Sequence, residues 1–175
     1  MHKTELAKRI YQTSSIQGEF LLRSGQISTV YFDKYLFESD PHLLKEIAIH
    51  LQSLLPKSFD AMAGLEMGGI PLATALALET GHKTLFVRKE AKPYGTCKLA
   101  EGGEVAGEKL VIIEDVVTSG GAIIDAVNAL RDLGAKVETV LCVIDREGTG
   151  KANLQAIGLN LLPLFTKTEL EESVK

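Results

Sequence analysis

Residues 110–127 read LVIIEDVVTSGGAIIDAV, and this stretch decides the fold. Leu110–Ile113 is an unbroken apolar run, extended upstream by Lys109, and it ends at two adjacent acids, Glu114 and Asp115. A strand without polar alternation is buried on both faces, as in a parallel sheet covered by helices. A loop of small and hydroxyl residues follows (Thr118, Ser119, Gly120, Gly121), and Gly121–Leu133 is an amphipathic helix closed by Gly134. Strand, acidic pair, glycine-hydroxyl loop and helix therefore succeed one another within about two dozen residues.

The same logic extends in both directions. Ala61–Leu65, Thr84–Arg88 and Val137–Asp145 are further apolar strands, and Ile70–Glu79 is an Ala/Leu-rich helix with Pro71 near its start and Gly81 at its end. Pro41–Leu55 has apolar residues at helical spacing, with Asp40 placed to cap it and Pro41 at the first position. Upstream, Thr4–Gln12 reads as a short polar helix, and Phe20–Leu22 with Val30–Phe32 reads as a hairpin turning at Ser24-Gly25. Strands alternating with helices predict an α/β fold with a twisted, mainly parallel sheet between helices. Ligands of such sheets bind beyond the carboxyl ends of the strands. That rule selects Glu66–Gly69, Lys89–Gly103, Glu114–Gly121 and Asp145–Gly148.

Composition narrows the classes. The chain has 175 residues, which is one domain in size, with 45% hydrophobic and 24% charged residues and no tryptophan. A net charge of −4 argues against a general nucleic-acid or anionic-membrane binder. The first residues, MHKTELAKRIYQTSS, have no apolar leader core, and no apolar run reaches the ~18 residues of a membrane span. The two cysteines, Cys97 and Cys142, have no framework or metal spacing. Cys142 sits in the apolar run Val140–Ile144 and is expected to be buried, whereas Cys97 lies in a polar segment. His2, His42, His50 and His82 show no metal-ligand spacing. These features predict a protein of the reducing cytoplasm.

The loop after Asp115 is built to hold an anion. Glycines let backbone N–H groups wrap a phosphate, hydroxyls add donors, and the helix N-terminus adds positive dipole. It lacks the lysine of a GxxxxGK[ST] loop and is not GxGxxG. Two carboxylates beside a phosphate need a partner of their own, either a vicinal diol or a divalent cation. Ribose 5-phosphate supplies both a diol and a phosphate. A capped strand-to-helix turn with no ligand is the plain alternative, and the co-occurrence of all four features outweighs it.

IIEDVVTSGG, residues 112–121, resembles the signature of the type I phosphoribosyltransferases, which bind 5-phosphoribosyl-1-diphosphate (PRPP). The resemblance implies Glu114 and Asp115 on the ribose hydroxyls, and Val116, Val117, Thr118, Ser119, Gly120, Gly121 and Ala122 around the 5-phosphate. FVRKEAKPYGTCKLAEGG, residues 86–103, is a basic segment of little apolar content and resembles the catalytic loop of the orotate members. Taken alone, it reads equally as a solvated charged loop. The resemblance implies Lys92 as the catalytic cation that assists departure of pyrophosphate, with Arg88, Lys89 and Tyr94 also binding PRPP. Tyr94 stands where many members have histidine; a phenol donates to phosphate but does not titrate near neutrality.

Three further segments complete the resemblance. VIDREGTG, residues 143–150, puts Arg146 where the orotate members face the base, and a planar guanidinium suits the orotate carboxylate. The alternative is a surface arginine paired with Asp145 or Glu147. Thr118 is a second implied orotate donor. AGLEMGGIP, residues 63–71, resembles the pyrophosphate loop, with Gly68 and Gly69 offering backbone N–H groups and nothing assigned to Glu66 or Met67. FLLRSGQISTVYFDKY, residues 20–35, resembles the hood segment: Arg23 replaces the usual lysine and is implied as a further PRPP ligand, and Tyr31 and Phe32 are expected at the base pocket, with plain hydrophobic hood strands as the alternative.

Together these imply transfer of phosphoribose from PRPP to N1 of orotate in pyrimidine biosynthesis. They also imply a Mg²⁺ cofactor carried mainly by PRPP rather than by protein ligands, and a homodimer whose catalytic loop is shared across subunits. The hood is expected from residues 15–37 and 155–167, with Leu161–Phe165 closing it, and the core from 40–150. Two rivals stand beside this reading: a phosphoribosyltransferase for another base, and a PRPP-sensing module without turnover.

Overall fold

The computed structural model describes residues 1–21, 25–92, 94–95 and 98–175. The main sheet has six strands in the order β5-β4-β3-β6-β7-β8. These are β3 (Ala61–Leu65), β4 (Thr84–Val87), β5 (Ala100–Glu101), β6 (Lys109–Val117), β7 (Lys136–Asp145) and β8 (Asn160–Thr166). All neighbouring strands are parallel except β5, which runs antiparallel to β4 at one edge. All five residues of β3 are buried, as the lack of alternation in its sequence requires.

Helices cover both faces of the sheet. One face carries α1 (Lys3–Ser14), α2 (Lys34–Ser39), α3 (Pro41–Gln52), α4 (Gly69–Thr80) and α7 (Lys167–Glu172) over a core that includes Phe37, Met62, Val111 and Phe165. The opposite face is covered by α5 (Gly121–Asp132) and α6 (Gly150–Ala156), around Ile112, Val127, Cys142 and Leu154. Asp40 caps α3 as its sequence suggests, accepting from the N–H groups of His42 and Leu43 at 2.9 and 3.1 Å. Cys142 is fully buried.

The antiparallel pair β1 (Ser15–Leu21) and β2 (Ile27–Phe32) forms a separate two-stranded sheet; Ser24 of the turn expected at Ser24-Gly25 lies outside the described residues. Two elements differ from the sequence reading. The strand that was to end at Ile113 runs on to Val117, because Glu114, Val116 and Val117 keep pairing with Cys142, Ile144 and Asp145 of β7. The acids thus sit on a rigid strand rather than in a loop. Leu161–Phe165, expected to close the hood, belongs to β8 and pairs in parallel with β7 at the edge of the main sheet. Its buried Leu161, Leu164 and Phe165 gain more apolar cover there than a two-stranded hairpin offers.

Candidate active site

The phosphate-type loop forms as its sequence dictates. Gly120 adopts a left-handed conformation (φ 76°), which lets the chain leave β6 and start α5 without a Cβ clash. The first N–H groups of α5, at Gly121, Ala122 and Ile123, have no acceptor within the helix, and these three residues line a cavity. That cavity holds about 270 Å³ and is bounded by Lys34, Glu66, Met67 and residues 114–123. All seven residues assigned to the 5-phosphate therefore lie on one cavity wall with Glu114 and Asp115.

Asp115 is the buried centre of this wall, with no exposed surface. It continues the row Val111–Ile113 on the face toward α2 and α4. Lys34 Nζ, from α2, lies 2.5 Å from Asp115 Oδ2. Glu38, one helical turn further along, is also buried, and its Oε1 faces the same side of Gly68 as Asp115 Oδ2. A Cβ on Gly68 would fall 1.6 Å from Asp115 Oδ2, so only glycine permits this approach. Gly69 is constrained likewise: a Cβ there would lie 2.2 Å from the Ile113 carbonyl oxygen. Steric fit thus explains the two glycines, whatever their N–H groups contact.

The charges sort themselves by environment. Burial pushes the Glu38 carboxyl up to about 8, helped by its hydrogen bond to Asp115 and by that group's charge. Burial raises Glu114 well above the usual carboxylate range for the same reasons. Burial alone would raise Asp115 too, but hydrogen bonds from Glu114, Lys34 and Glu38 outweigh it and hold Asp115 below its ordinary value. For Lys34, burial works to lower the ammonium; the hydrogen bond to Asp115 and the charges of Asp115 and Glu114 override it and keep the value raised. Near neutral pH Asp115 is ionised beside the Lys34 ammonium, and Glu38 keeps its proton.

Arg88 and Lys89 line an adjoining cavity of about 610 Å³ that shares Glu66, Glu114, Gly121 and Ala122 with the first. Lys89 N–H donates to Glu66 Oε1 at 2.5 Å, which ties the start of the basic segment to the β3–α4 loop. Lys92 and Tyr94 are placed differently. Lys92 is ion-paired to Glu101 of β5, which also faces Arg88 Nε at 3.6 Å, and Tyr94 is largely exposed. Neither lines the phosphate cavity. Arg23, Pro93 and Cys97 lie outside the described residues.

Arg146 lines a third cavity, of about 370 Å³, with Ser28, Val30 and Phe32 of the hairpin, Val116 of β6 and Lys167 of α7. Val116 borders this cavity and the phosphate cavity alike. Strand alternation puts Ser28, Val30 and Phe32 on the inward face. Tyr31 therefore points away and packs on Phe20, with ring centroids 5.4 Å apart; of the two expected aromatics, Phe32 alone reaches the cavity. Among the described residues Arg146 makes no ion pair. Glu147 is engaged instead by the N–H and hydroxyl of Thr168, at 2.9 and 2.6 Å, and Asp145 Oδ1 accepts from Glu147 N–H at 2.9 Å. These bonds hold Glu147 at φ 57°, a conformation a side chain adopts at a cost of about 1 kcal/mol. The turn also packs on the phosphate loop: Gly150 N–H donates to the Thr118 carbonyl at 2.9 Å, and Asn153 Nδ2 to the Ser119 carbonyl at 2.9 Å.

Sequence reasoning missed Lys34, Glu38, Glu66 and Met67. Lys34 and Glu38 are spaced i,i+4, but α2 has only six residues and shows no legible period.

An acidic pair on a strand, a glycine loop opening a helix and a basic segment beside the cavity are the features of the phosphoribosyltransferase class. Residues 41–158 match the phosphoribosyl transferase domain family. Among relatives, the orotate phosphoribosyltransferase of Nocardioides sp. is 52% identical over 95% of this chain and 93% of its own length. That of Methanocella arvoryzae is 40% identical over 95% and 96%. Among solved structures, Mycobacterium tuberculosis orotate phosphoribosyltransferase in complex with Fe(III) dicitrate superposes with a TM-score of 0.88 at 29% identity, covering 96% of this chain and 98% of that one. The same enzyme in complex with PRPP gives 0.83 at 27% identity, covering 97% and 98%. The chain belongs to the orotate phosphoribosyltransferase family.

Proposed function

We propose that the protein transfers the 5-phosphoribosyl group of PRPP to N1 of orotate, giving orotidine 5′-monophosphate and pyrophosphate. The C1′–O bond to the diphosphate breaks with its electron pair leaving on pyrophosphate, the N1–C1′ bond forms, and N1 gives up its proton. The observation that carries this reading is the pair of cavities that share Val116 as a lining residue. One is built for a ribose phosphate, and the other ends in an arginine that no carboxylate of the described residues neutralises.

Each residue then has a task. The N–H groups opening α5, the Thr118 backbone N–H and the Ser119 hydroxyl hold the 5-phosphate. Asp115, kept ionised, accepts from a ribose hydroxyl, and Glu114 serves the other. Arg146 pairs with the orotate carboxylate, and Thr118 donates to the base. Arg88 and Lys89 meet the diphosphate, while Lys92 and Tyr94 reach it when the segment after β4 closes; cations there stabilise the charge that develops on the leaving group.

Among the described residues no cluster of three or more metal-ligating side chains exists. Mg²⁺ commonly takes one or two carboxylates plus substrate phosphates, and Asp115 is already engaged by Lys34. A Mg²⁺ carried by PRPP would supply charge neutralisation at the leaving group, with Asp115 staying with Lys34. A homodimer with the basic segment shared across subunits agrees with the outward placement of Tyr94. No helix among the described residues is long and apolar enough to cross a membrane, and a cytoplasmic location fits that and the sequence composition.

Loss of orotate absorbance on mixing the protein with PRPP, Mg²⁺ and orotate tests the reading, with uracil and adenine in parallel. Orotate alone should be consumed. Consumption of adenine instead would assign another base, and PRPP binding without turnover of any base would leave a sensor.

A further inference from the structure

The phosphate cavity contains a cation that the resemblance does not account for. Lys34 stands on α2, the short helix joining the hairpin to the core, and α2 is fixed at its start and by its buried face. Asp33 N–H donates to the Ser14 carbonyl at 2.8 Å, and the Asp33 side chain caps the helix by accepting from Tyr35 N–H at 3.0 Å. Phe37, fully buried, locks α2 into the core. Lys34 is thereby aimed into the cavity from the wall facing the glycine loop, and its side chain stays one-third exposed to it.

Charge balance gives this placement meaning. Among the described residues lining the cavity, Lys34 is the one cation, against the carboxyls of Glu66, Glu114 and Asp115. Arg88 and Lys89 approach only through the adjoining cavity. A sugar carrying a diphosphate brings several negative charges into this acidic wall, which is costly unless a cation meets it there. An ammonium has three donors and no acceptor. One donor satisfies Asp115, and the flexible four-carbon stem leaves the others able to turn to an anion beside it.

We propose that Lys34 is a further PRPP-binding residue, which bridges Asp115 to the diphosphate of the substrate. It ties the carboxylate that holds the ribose to the charge that leaves. Because α2 follows the hairpin directly, it also couples the base end of the site to the diphosphate end. The inference rests on PRPP being the substrate.

Calorimetric titration of the full chain, wild type, Lys34→Gln and Lys34→Arg, with PRPP and separately with ribose 5-phosphate, tests it. Ribose 5-phosphate has the diol and the 5-phosphate but no diphosphate. In Lys34→Gln, PRPP affinity should fall about tenfold or more, the scale of one charge-assisted contact. Ribose 5-phosphate affinity should stay within about threefold of wild type, and Lys34→Arg should recover most of the loss. Equal weakening of both ligands would overturn the inference, since Lys34 would then act only by holding Asp115. Unchanged PRPP affinity in Lys34→Gln would overturn it as well. Melting without ligand separates either result from misfolding; where Lys34→Gln is misfolded, Lys34→Arg decides: PRPP affinity near wild type supports the contact, and equal weakening of both ligands with normal melting overturns it. Failure of the wild type to bind PRPP would instead remove the functional reading on which the inference stands.

Discussion

Arg146 shows how one side chain acquires a role from what its neighbours do. Asp145 and Glu147 flank it in sequence and might be taken for its partners, yet Thr168 occupies Glu147 and the Glu147 N–H occupies Asp145. The guanidinium is left facing the hairpin cavity. Replacing it, as Arg146→Ala, should raise the KM for orotate by about tenfold to a hundredfold, the range expected for a lost charged hydrogen bond. The KM for PRPP should change little, because the phosphate cavity is intact. Steady-state kinetics with each substrate varied in turn checks this; an equal rise in both constants would mean that Arg146 shapes the whole site. Legibility at this scale was uneven. Arg146 and the acids could be read because each follows an unbroken apolar run. Glu38 could not, since a single glutamate in ESDP says nothing of Asp115, which is brought to it only by folding.

Among the elements, the basic segment between β4 and β5 is the one whose sequence and structure part company. Its composition gives it cations, but burial does not hold them at the phosphate cavity. Glu101 takes up Lys92 and Arg88 in this conformation, and the two cations hold the Glu101 carboxyl below its usual range. These pairs are only partly buried, so a polyanion can compete with Glu101 for both cations. Lys92→Ala should lower kcat by about a hundredfold to a thousandfold, as expected when a preorganised charge donor is removed from a transition state. PRPP should still bind, through the loop before α5 and the β4 end. Rapid-quench turnover beside equilibrium PRPP binding measures both; normal turnover would remove Lys92 from the chemistry.

At the scale of the whole molecule, the buried carboxyls under α2 couple stability to pH. Folded Glu38 keeps its proton up to about pH 8, while the unfolded chain releases it near the ordinary value of 4.5. Between these values the native state binds more protons than the unfolded one, so stability falls as pH rises across that window. Glu114 acts in the same direction. Glu38→Gln keeps a hydrogen-bond donor toward Asp115 but cannot ionise. It should melt close to wild type at pH 5 and several degrees above it at pH 8.5, taking about 3 °C per kcal/mol for a domain of this size. Thermal melts at the two pH values decide the matter, and parallel curves for variant and wild type would show that Glu38 is charged in the folded protein.

The order of strands and helices, the glycine loop after the acids and the bases flanking it were all written locally. Apolar runs, caps and glycines act over a few residues and need no distant partner. What only the tertiary structure decided was which of these side chains meet. It ran β6 on through its acids and set β8 at the sheet edge, because pairing with β7 and apolar burial outweighed the local signals. It turned Tyr31 away from the site and Phe32 toward it. It also carried Lys34 and Glu38 across the chain to Asp115, an encounter set by the packing of α2 against the sheet, which no local period records.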